Sequence, residues 1–258
     1  MNEENASILI TNYNKEKFLN NTIRSCLNQN YSKKEILIFD DCSTDNSVKL
    51  LKKFKNLKLL INKKKKFKSG PLNQIYGVNK LFKKSKGEII FLLDGDDQFK
   101  KNKINIICKK FTKNKDLQFI QDRPYLYNKK KYMELKKKNH LFSIWPSFYP
   151  TSCIAMRRNF FKIFLRYIEN KKFPNLEIDA RIAMFAFLSK NLNIDKRSLT
   201  IYNYDEVGVT SNYSKFSINW WKKRNEAFNY FIFLNNKLNL RFSKSPDYFI
   251  TKFINLFI

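Results

Sequence analysis

The sequence is poor in the residue types that most often build metal centres and disulfide frameworks. Its 258 residues include one histidine, His140, so a His-rich metal site is excluded and any bound metal must use oxygen ligands. The four cysteines, Cys26, Cys42, Cys108 and Cys153, include no pair at Cys-x-x-Cys spacing. They predict neither a zinc site nor a set of disulfides, and a reducing compartment is the default expectation.

Long apolar runs are also absent. The longest wholly apolar stretch, Ile182–Leu188, is far too short to cross a bilayer. The first residues, Met1–Asn5, contain neither the basic nor the apolar segment that begins a signal peptide. The sequence therefore predicts a cytoplasmic protein, soluble or peripheral, and any peripheral contact would be with the inner face of an anionic membrane.

Acidic residues are few, which gives the chain a large positive charge. Lys and Arg number 51 against 22 Asp and Glu, for a formal net charge of +29. Such a charge attracts polyanions, so one candidate function is a non-catalytic basic protein that binds nucleic acid or an anionic membrane. The simpler interpretation is compositional, because the charges are spread along the whole chain. No nucleic-acid motif is recognisable, and no specific nucleic acid is predicted.

The first part of the chain alternates short apolar runs with segments of helical periodicity. Four runs predict strands, namely Ser7–Ile10, Ile36–Phe39, Leu57–Ile61 and Ile89–Leu93. Apolar strands separated by helices indicate a parallel sheet covered on both sides, and so an α/β fold.

Beyond residue 110 the pattern is weaker. Strands are predicted at Leu117–Ile120, Ile154–Arg157 and Leu199–Tyr204. Helices are predicted at Asn159–Glu169, Ile178–Leu188 and Ser217–Lys237. The sequence shows no internal repeat and no long linker.

Polar clusters follow three of the predicted strands: Thr11–Asn14, Asp40–Asp45 and Asp94–Asp97. In an open α/β sheet, ligands bind outside the carboxyl ends of the strands, so the three clusters should line one edge. A carboxylate at Asp40 or Asp41 could accept the imide N–H of a uracil or bind a ribose. Tyr13 could stack on a base, and ordinary packing of an amphipathic aromatic is the alternative.

The sharpest cluster is Asp94-Gly95-Asp96-Asp97. Three carboxylates within four residues repel one another unless a cation or hydrogen bonds compensate them, and Gly95 allows a tight turn. Mg²⁺ and Mn²⁺ take such oxygen ligands together with substrate phosphates. The cluster indicates a metal–diphosphate site, and the alternative is an acidic turn that caps the helix beginning near Lys101.

In order and spacing, these blocks resemble the N-terminal half of family 2 glycosyltransferases. The matching segments are Ser7–Asn14, Ile38–Ser47 and Gly87–Asp97, and the resemblance covers residues 6 to about 110. It implies a GT-A fold, a nucleotide-diphosphate-sugar donor, Mn²⁺ or Mg²⁺, and inversion at the anomeric carbon. Residues 1–110 would be the nucleotide-sugar-binding half, 111–215 the acceptor-side half and 216–258 a C-terminal helical extension. The family usually has Gly or Asn where Cys42 stands.

The resemblance also implies roles for individual residues. Asp96 and Asp97 would hold the metal, and the acceptor would be a glycan or a lipid-linked saccharide. A UDP-sugar is the favoured donor. The nucleotide-sugar would be contacted by Thr11, Tyr13, Asp41, Asp94 and Asp96.

By the same resemblance, the catalytic base is a carboxylate near a helix start in the second half. Asp179 resembles that position, and the alternative is an acid placed in a first turn to suit the helix dipole. Glu177 and Asp205 are competing candidates. Neighbouring Arg181 and the helix N-terminus are expected to favour the ionised carboxylate that a base requires.

Overall fold

A strand forms at each of the seven apolar runs recognised in the sequence, and two further strands of two residues each were not predicted. The computed structural model describes residues 4–135, 142–169, 171–204 and 213–258. Within them the strands are β1 (Ala6–Asn12), β2 (Lys34–Asp40), β3 (Lys58–Ile61), β4 (Ile89–Asp94), β5 (Gln98–Phe99), β6 (Phe119–Leu126), β7 (Lys131–Tyr132), β8 (Ile154–Arg157) and β9 (Leu192–Tyr202).

The helices separate the strands of the first half and dominate the C-terminal part. They are α1 (Glu16–Leu27), α2 (Ser47–Leu51), α3 (Gly70–Lys84), α4 (Lys103–Lys113), α5 (Arg158–Phe164), α6 (Ile178–Leu188), α7 (Ile218–Lys237) and α8 (Pro246–Ile254). Two starts are capped by serine, since Ser69 Oγ accepts from Leu72 N and Ser217 Oγ accepts from Trp220 N.

One sheet contains all of these strands in the order β3-β2-β1-β4-β8-β6-β9-β5, with β7 paired to β6. The pairs β1–β2, β1–β4 and β2–β3 are parallel, as predicted for the first half. In the second half, where the sequence predicted no strand direction, β8 runs antiparallel to both β4 and β6. The start of β8 therefore lies at the carboxyl ends of the parallel strands.

The core lies on both faces of the sheet, because the central strands alternate their apolar side chains. On one face, Leu9 and Leu92 pack with α3, α5, α6 and α7. On the other face, Ile8 and Phe91 pack with α1 and α4, where Cys26 and Cys108 are buried among apolar residues as expected. Burial on both faces explains why these strands are apolar at successive positions.

The last two helices form an antiparallel pair. Phe228 of α7 packs on Tyr248 of α8, and Trp221 O, nearer the start of α7, accepts from Asn255 Nδ2 just past the end of α8. The start of α7 therefore lies beside the end of α8. In the described part of the chain, no helix is both long and apolar enough to cross a membrane.

A buried ion pair joins α4 to the second half of the sheet. Lys103 Nζ lies 2.6 Å from Asp122 Oδ1, and both side chains are at most 1% exposed. The same ammonium donates to Ser152 O and to Thr200 Oγ1, each at 2.7 Å. The ammonium thus has two hydrogen-bond acceptors besides its carboxylate partner, and such partners are the condition under which a buried charge is tolerated.

Removing the cation of this pair should destabilise the fold. We expect Lys103→Met to lower the free energy of unfolding by about 3–5 kcal/mol, because it leaves the Asp122 carboxylate buried without its partner. Lys58→Met is the matched control, because Lys58 pairs with Glu35 at the surface, and it should cost less than about 1 kcal/mol. Urea denaturation at neutral pH measures both, and equal losses would contradict the prediction.

Candidate active site

The three polar clusters meet at one edge of the sheet, as predicted. In the parallel register of β1 with its neighbours, Asn12 is opposite Asp40 and Thr11 is opposite Asp94. A cavity of about 380 Å³ opens at this edge. Among its lining residues are six of the predicted site residues, namely Thr11, Tyr13, Asp41, Asp94, Asp96 and Asp179.

The acidic turn after β4 lies close against the end of β1. Gly95 N donates to Thr11 O at 2.9 Å, and a Cβ added at Gly95 would lie 2.5 Å from Asn12 Oδ1. Glycine is therefore required here by close approach to β1. The turn is fixed from the other side by Thr22 Oγ1, which donates to Gly95 O.

Two carboxylates of this turn face the cavity. Asp94 Oδ1 accepts from Gln74 Nε2 at 2.8 Å and from Thr11 Oγ1 at 3.2 Å. Burial, together with the neighbouring Asp96 carboxylate, raises the pKa of Asp94 to about 6. Asp96 pairs with Lys15 Nζ at 2.5 Å. The turn therefore concentrates negative charge at the cavity wall, and a cation lies against part of it.

Asp97, the third carboxylate, points elsewhere. It is 1% exposed and is not among the residues that line the cavity. Its Oδ1 accepts from Asn203 N at 2.8 Å and its Oδ2 from Ser152 Oγ at 2.5 Å. Burial and then the charges of Asp96 and Asp94 raise its pKa well above the usual range. Asp97 thus links the acidic turn to the second half of the chain through hydrogen bonds. These surroundings do not support its predicted role as metal ligand.

The two aspartates after β2 have different surroundings. Asp40 is fully buried and accepts from Asn12 Nδ2 at 2.7 Å and from Ser43 N at 3.0 Å, so it holds the loop together. Asp41 lines the cavity and accepts from Asn62 Nδ2 at 3.0 Å. Of the two candidates for contacting a nucleotide, only Asp41 lines the cavity.

Cys42 separates this pair from the rest of the loop and has a left-handed backbone, with φ of 60°. Glycine and asparagine are the residues that adopt this conformation at least cost, which gives a physical reason for their presence here in the family. The Cys42 thiol donates to Asn62 O at 3.2 Å.

Asp179 stands in the first turn of α6 and lines the same cavity as Asp94 and Asp96. Burial and then the charge of Glu177 raise its pKa to about 7. Glu177 also lines the cavity, and it forms an ion pair with Lys223. The third candidate base, Asp205, lies outside the described residues.

The expectation that Arg181 favours ionisation of Asp179 is wrong. The Arg181 guanidinium is fully buried on the other side of the helix start, where it donates to main-chain carbonyls. Its acceptors are the carbonyl oxygens of Ile168, Glu169, Lys172, Phe173 and Leu176. Arg181 is thus occupied in closing the loop before α6, and burial sets the pKa of Asp179 instead.

Several cavity residues were not identified from the sequence. Lys65 and Lys68 line it, although the lysine run at 63–66 was interpreted only as a solvated loop. Lys65 Nζ lies 3.4 Å from the centroid of the Tyr13 ring. Tyr202 and Asn203 reach the cavity from the end of β9, whose polar composition gave a weak strand signal. For the lysines, a positive cluster shortly before a helix was the available signal.

Solved structures share this fold. TarS of Staphylococcus aureus, residues 1–349 in complex with UDP-GlcNAc, matches with a TM-score of 0.66 at 16% identity, over 88% of this chain and 66% of that one. The mannosyltransferase PcManGT of Pyrobaculum calidifontis, in complex with GDP-Man and Mn²⁺, gives 0.61 at 12% identity, over 96% and 67% of the two chains. The fold is therefore GT-A, as predicted.

Curated relatives align with part of the chain. An uncharacterized glycosyltransferase of Haemophilus influenzae is 36% identical over 108 residues, which is 40% of this chain and 41% of that protein. WfgD of Escherichia coli, a UDP-Glc:alpha-D-GlcNAc-diphosphoundecaprenol beta-1,3-glucosyltransferase, is 32% identical over 116 residues, or 44% of each. The chain thus spans less than half the length of these relatives. The family model described as "Glycosyl transferase family 2" matches residues 7–193, and the chain belongs to that family.

The raised pKa of Asp179 predicts a pH-dependent stability. A carboxyl whose pKa is higher in the folded state than in the unfolded state stabilises the fold at low pH, and this contribution is lost as pH rises through the folded value of about 7. We expect Asp179→Asn, which cannot ionise, to gain in Tm relative to the parent as pH rises from 4 to 8, without metal or nucleotide. A constant difference in Tm across this range would contradict the prediction.

Proposed function

We propose that the chain transfers a sugar from a nucleotide-diphosphate-sugar to a hydroxyl of a glycan or a lipid-linked saccharide, with inversion. The observation that carries the proposal is the cavity at the strand ends, where candidate nucleotide, metal and base residues converge. Membership of family 2 supports the reaction class. The donor named for WfgD is UDP-Glc, and the TarS complex contains UDP-GlcNAc, which favours a UDP-sugar here.

The nucleobase would bind between Tyr13 and Asp41. Tyr13 is 43% exposed at the cavity, so one face of its ring is available to a base once Lys65 moves from it. Asp41 can accept the imide N–H of uracil. The preference for UDP over GDP rests on the UDP-linked donors named for WfgD and for the TarS complex. Lys65 and Lys68 line the same cavity and would contribute positive charge near the diphosphate.

The residues present fit a divalent cation. Asp94 and Asp96 supply hard oxygen ligands, their mutual repulsion calls for a positive charge, and Lys15 already lies against Asp96. The described residues contain no group of three or more His, Cys, Asp or Glu side chains that could hold a metal alone. We therefore assign Asp94 and Asp96, with the donor diphosphate, as the ligand set for Mn²⁺ or Mg²⁺. When bound, the cation would neutralise charge on the leaving diphosphate.

Asp179 would remove the proton from the acceptor hydroxyl. It shares the cavity with the acidic turn but comes from α6, in the half of the chain assigned to the acceptor. A base with a pKa of about 7 is matched to proton transfer near neutral pH. Inversion requires the acceptor to attack the anomeric carbon opposite the leaving diphosphate, so the base would face the sugar from the side away from the cation. Asp179 and Asp96 come from different elements that line the same cavity, which supports this division of roles.

Nucleotide binding should depend on the cation and on Asp96. We expect UDP to bind tightly with Mn²⁺, to bind at least about tenfold more weakly in excess EDTA, and to bind better than GDP, as measured by calorimetry. Asp96→Asn should remove the metal dependence. Asp97→Asn is the matched comparison. Because Asp97 links the acidic turn to the second half of the chain, this variant should have a lower Tm and keep the metal dependence of UDP binding. If Asp97→Asn instead abolishes metal-dependent binding and Asp96→Asn does not, Asp97 is the ligand.

The Asp179 carboxylate should matter for the rate of sugar transfer and little for the affinity of the donor. We expect Asp179→Asn to keep the affinity for UDP and metal and to lower sugar transfer by about a hundredfold or more, the usual size of general-base catalysis. The parent rate should rise with pH through about 7 and then level off. Glu177→Gln is the matched control at the same helix start. Near-parental transfer by Asp179→Asn, with loss in Glu177→Gln or Asp205→Asn, would reassign the base.

A further inference from the structure

The paired helices α7 and α8 carry an exposed apolar stripe. Phe249, Phe253 and Phe257, four residues apart, lie on one face of α8 and the turn that follows it, and they are 56%, 63% and 73% exposed. Leu256, beside them, is 77% exposed. Only the opposite side of the helix, with Asp247 and Thr251, is buried against α7.

Two more exposed apolar residues lie at the start of α7. Phe216 and Ile218 are 63% and 57% exposed. Because Trp221 O accepts from Asn255 Nδ2, these residues lie at the same end of the helix pair as Leu256 and Phe257. We call this surface the hairpin patch, and its members are Phe216, Ile218, Phe249, Phe253, Leu256 and Phe257. Apolar side chains exposed together in this way mark an interaction surface.

The exposed charged side chains of residues 213–258, the segment that carries the hairpin patch, are of one sign. Residues 213–258 contain eight Lys and Arg against two acids. Both acids are held internally, because Asp247 pairs with Arg224 and Glu226 accepts from Asn175. Five of the basic side chains are exposed, namely Lys215, Lys222, Lys237, Arg241 and Lys244. Residues 213–258 therefore expose apolar and cationic side chains and no acidic side chain.

We infer that the hairpin patch docks on an anionic lipid bilayer. A helix with an apolar face and basic flanks lies in the plane of a membrane interface, where Phe side chains enter the acyl boundary and Lys or Arg side chains meet anionic headgroups. A second copy of the chain fits less well, because pairing two such patches would bring their basic flanks together.

The position of the hairpin patch relative to the cavity gives the docking a consequence. Lys223, two residues after Trp221, pairs with Glu177, which lines the cavity beside Asp179. The membrane-facing end of the helix pair thus adjoins the acceptor side of the cavity. If the proposed function holds, on which this step rests, an acceptor saccharide carried on a membrane lipid would approach Asp179 from the bilayer to which the patch is bound.

The test is sedimentation of the full chain with vesicles. We expect the parent to co-sediment with mixed phosphatidylglycerol–phosphatidylcholine vesicles and far less with phosphatidylcholine alone. Phe253→Ser with Phe257→Ser should weaken binding by about tenfold for each Phe removed. Lys222→Gln with Lys244→Gln should weaken it by about fivefold per charge. Ile163→Ser, a substitution of an exposed apolar residue on α5, should have no effect.

Three results would overturn the inference: no sedimentation of the parent with either vesicle, equal sedimentation of the parent and the double Phe variant, or a dimer in light scattering that the double Phe variant dissociates. Calorimetry with UDP and Mn²⁺ separates this inference from the proposed function. Vesicle binding without nucleotide binding would reject the proposed function alone, and nucleotide binding without vesicle binding would reject the membrane docking alone.

Discussion

The site depends on one buried serine. Ser152 Oγ donates to the Asp97 carboxylate and accepts from Asp94 N at 3.1 Å, while Ser152 O accepts from the ammonium of Lys103. Ser152 lies two residues before β8, which is antiparallel to its neighbours, and this direction places Ser152 at the carboxyl ends of the parallel strands. A buried hydrogen-bonded network of this kind is rigid, because each partner is costly to leave unpaired. It holds the acidic turn against the second half of the fold.

This rigidity explains how a strongly basic chain keeps a negatively charged cavity. The lysines are spread over the surface, but the carboxylates of the acidic turn are fixed at the strand ends and lie partly out of water. Burial, and then the charge of Asp96, raises the pKa of Asp94. Under the proposed function, the two carboxylates would take a divalent cation in preference to an ammonium group, since one such ion brings two charges to both carboxylates at once. Basic composition and acidic site are thus compatible.

The parallel strands of the first half and the edge that carries the site could be predicted from sequence because β1, β2 and β4 are apolar on both faces and each is followed by a polar cluster. Strand order then brings Thr11, Asp41 and Asp94 together without any knowledge of side-chain direction. The sequence did not show which way individual side chains point. Asp96 and Asp97 are adjacent and chemically alike, yet one faces the cavity and the other Ser152. Arg181 is two residues from Asp179 but turns to the loop carbonyls. The antiparallel direction of β8 was not predicted, because a four-residue apolar run does not show in which direction its strand lies in the sheet.

Cys42, with its left-handed backbone, has a partly exposed thiol and is next in sequence to Asp41, which lines the cavity. Cys26, Cys108 and Cys153 are buried, whereas Cys42 is partly exposed beside Asp41. Burial and the neighbouring Asp41 and Asp40 raise the pKa of the Cys42 thiol, so its alkylation is slow and calls for alkaline conditions. Cys42 can therefore carry a fluorophore or spin label without any cysteine being introduced or removed. It lies one residue from the carboxylate assigned to the nucleobase, so a label there could report donor exchange.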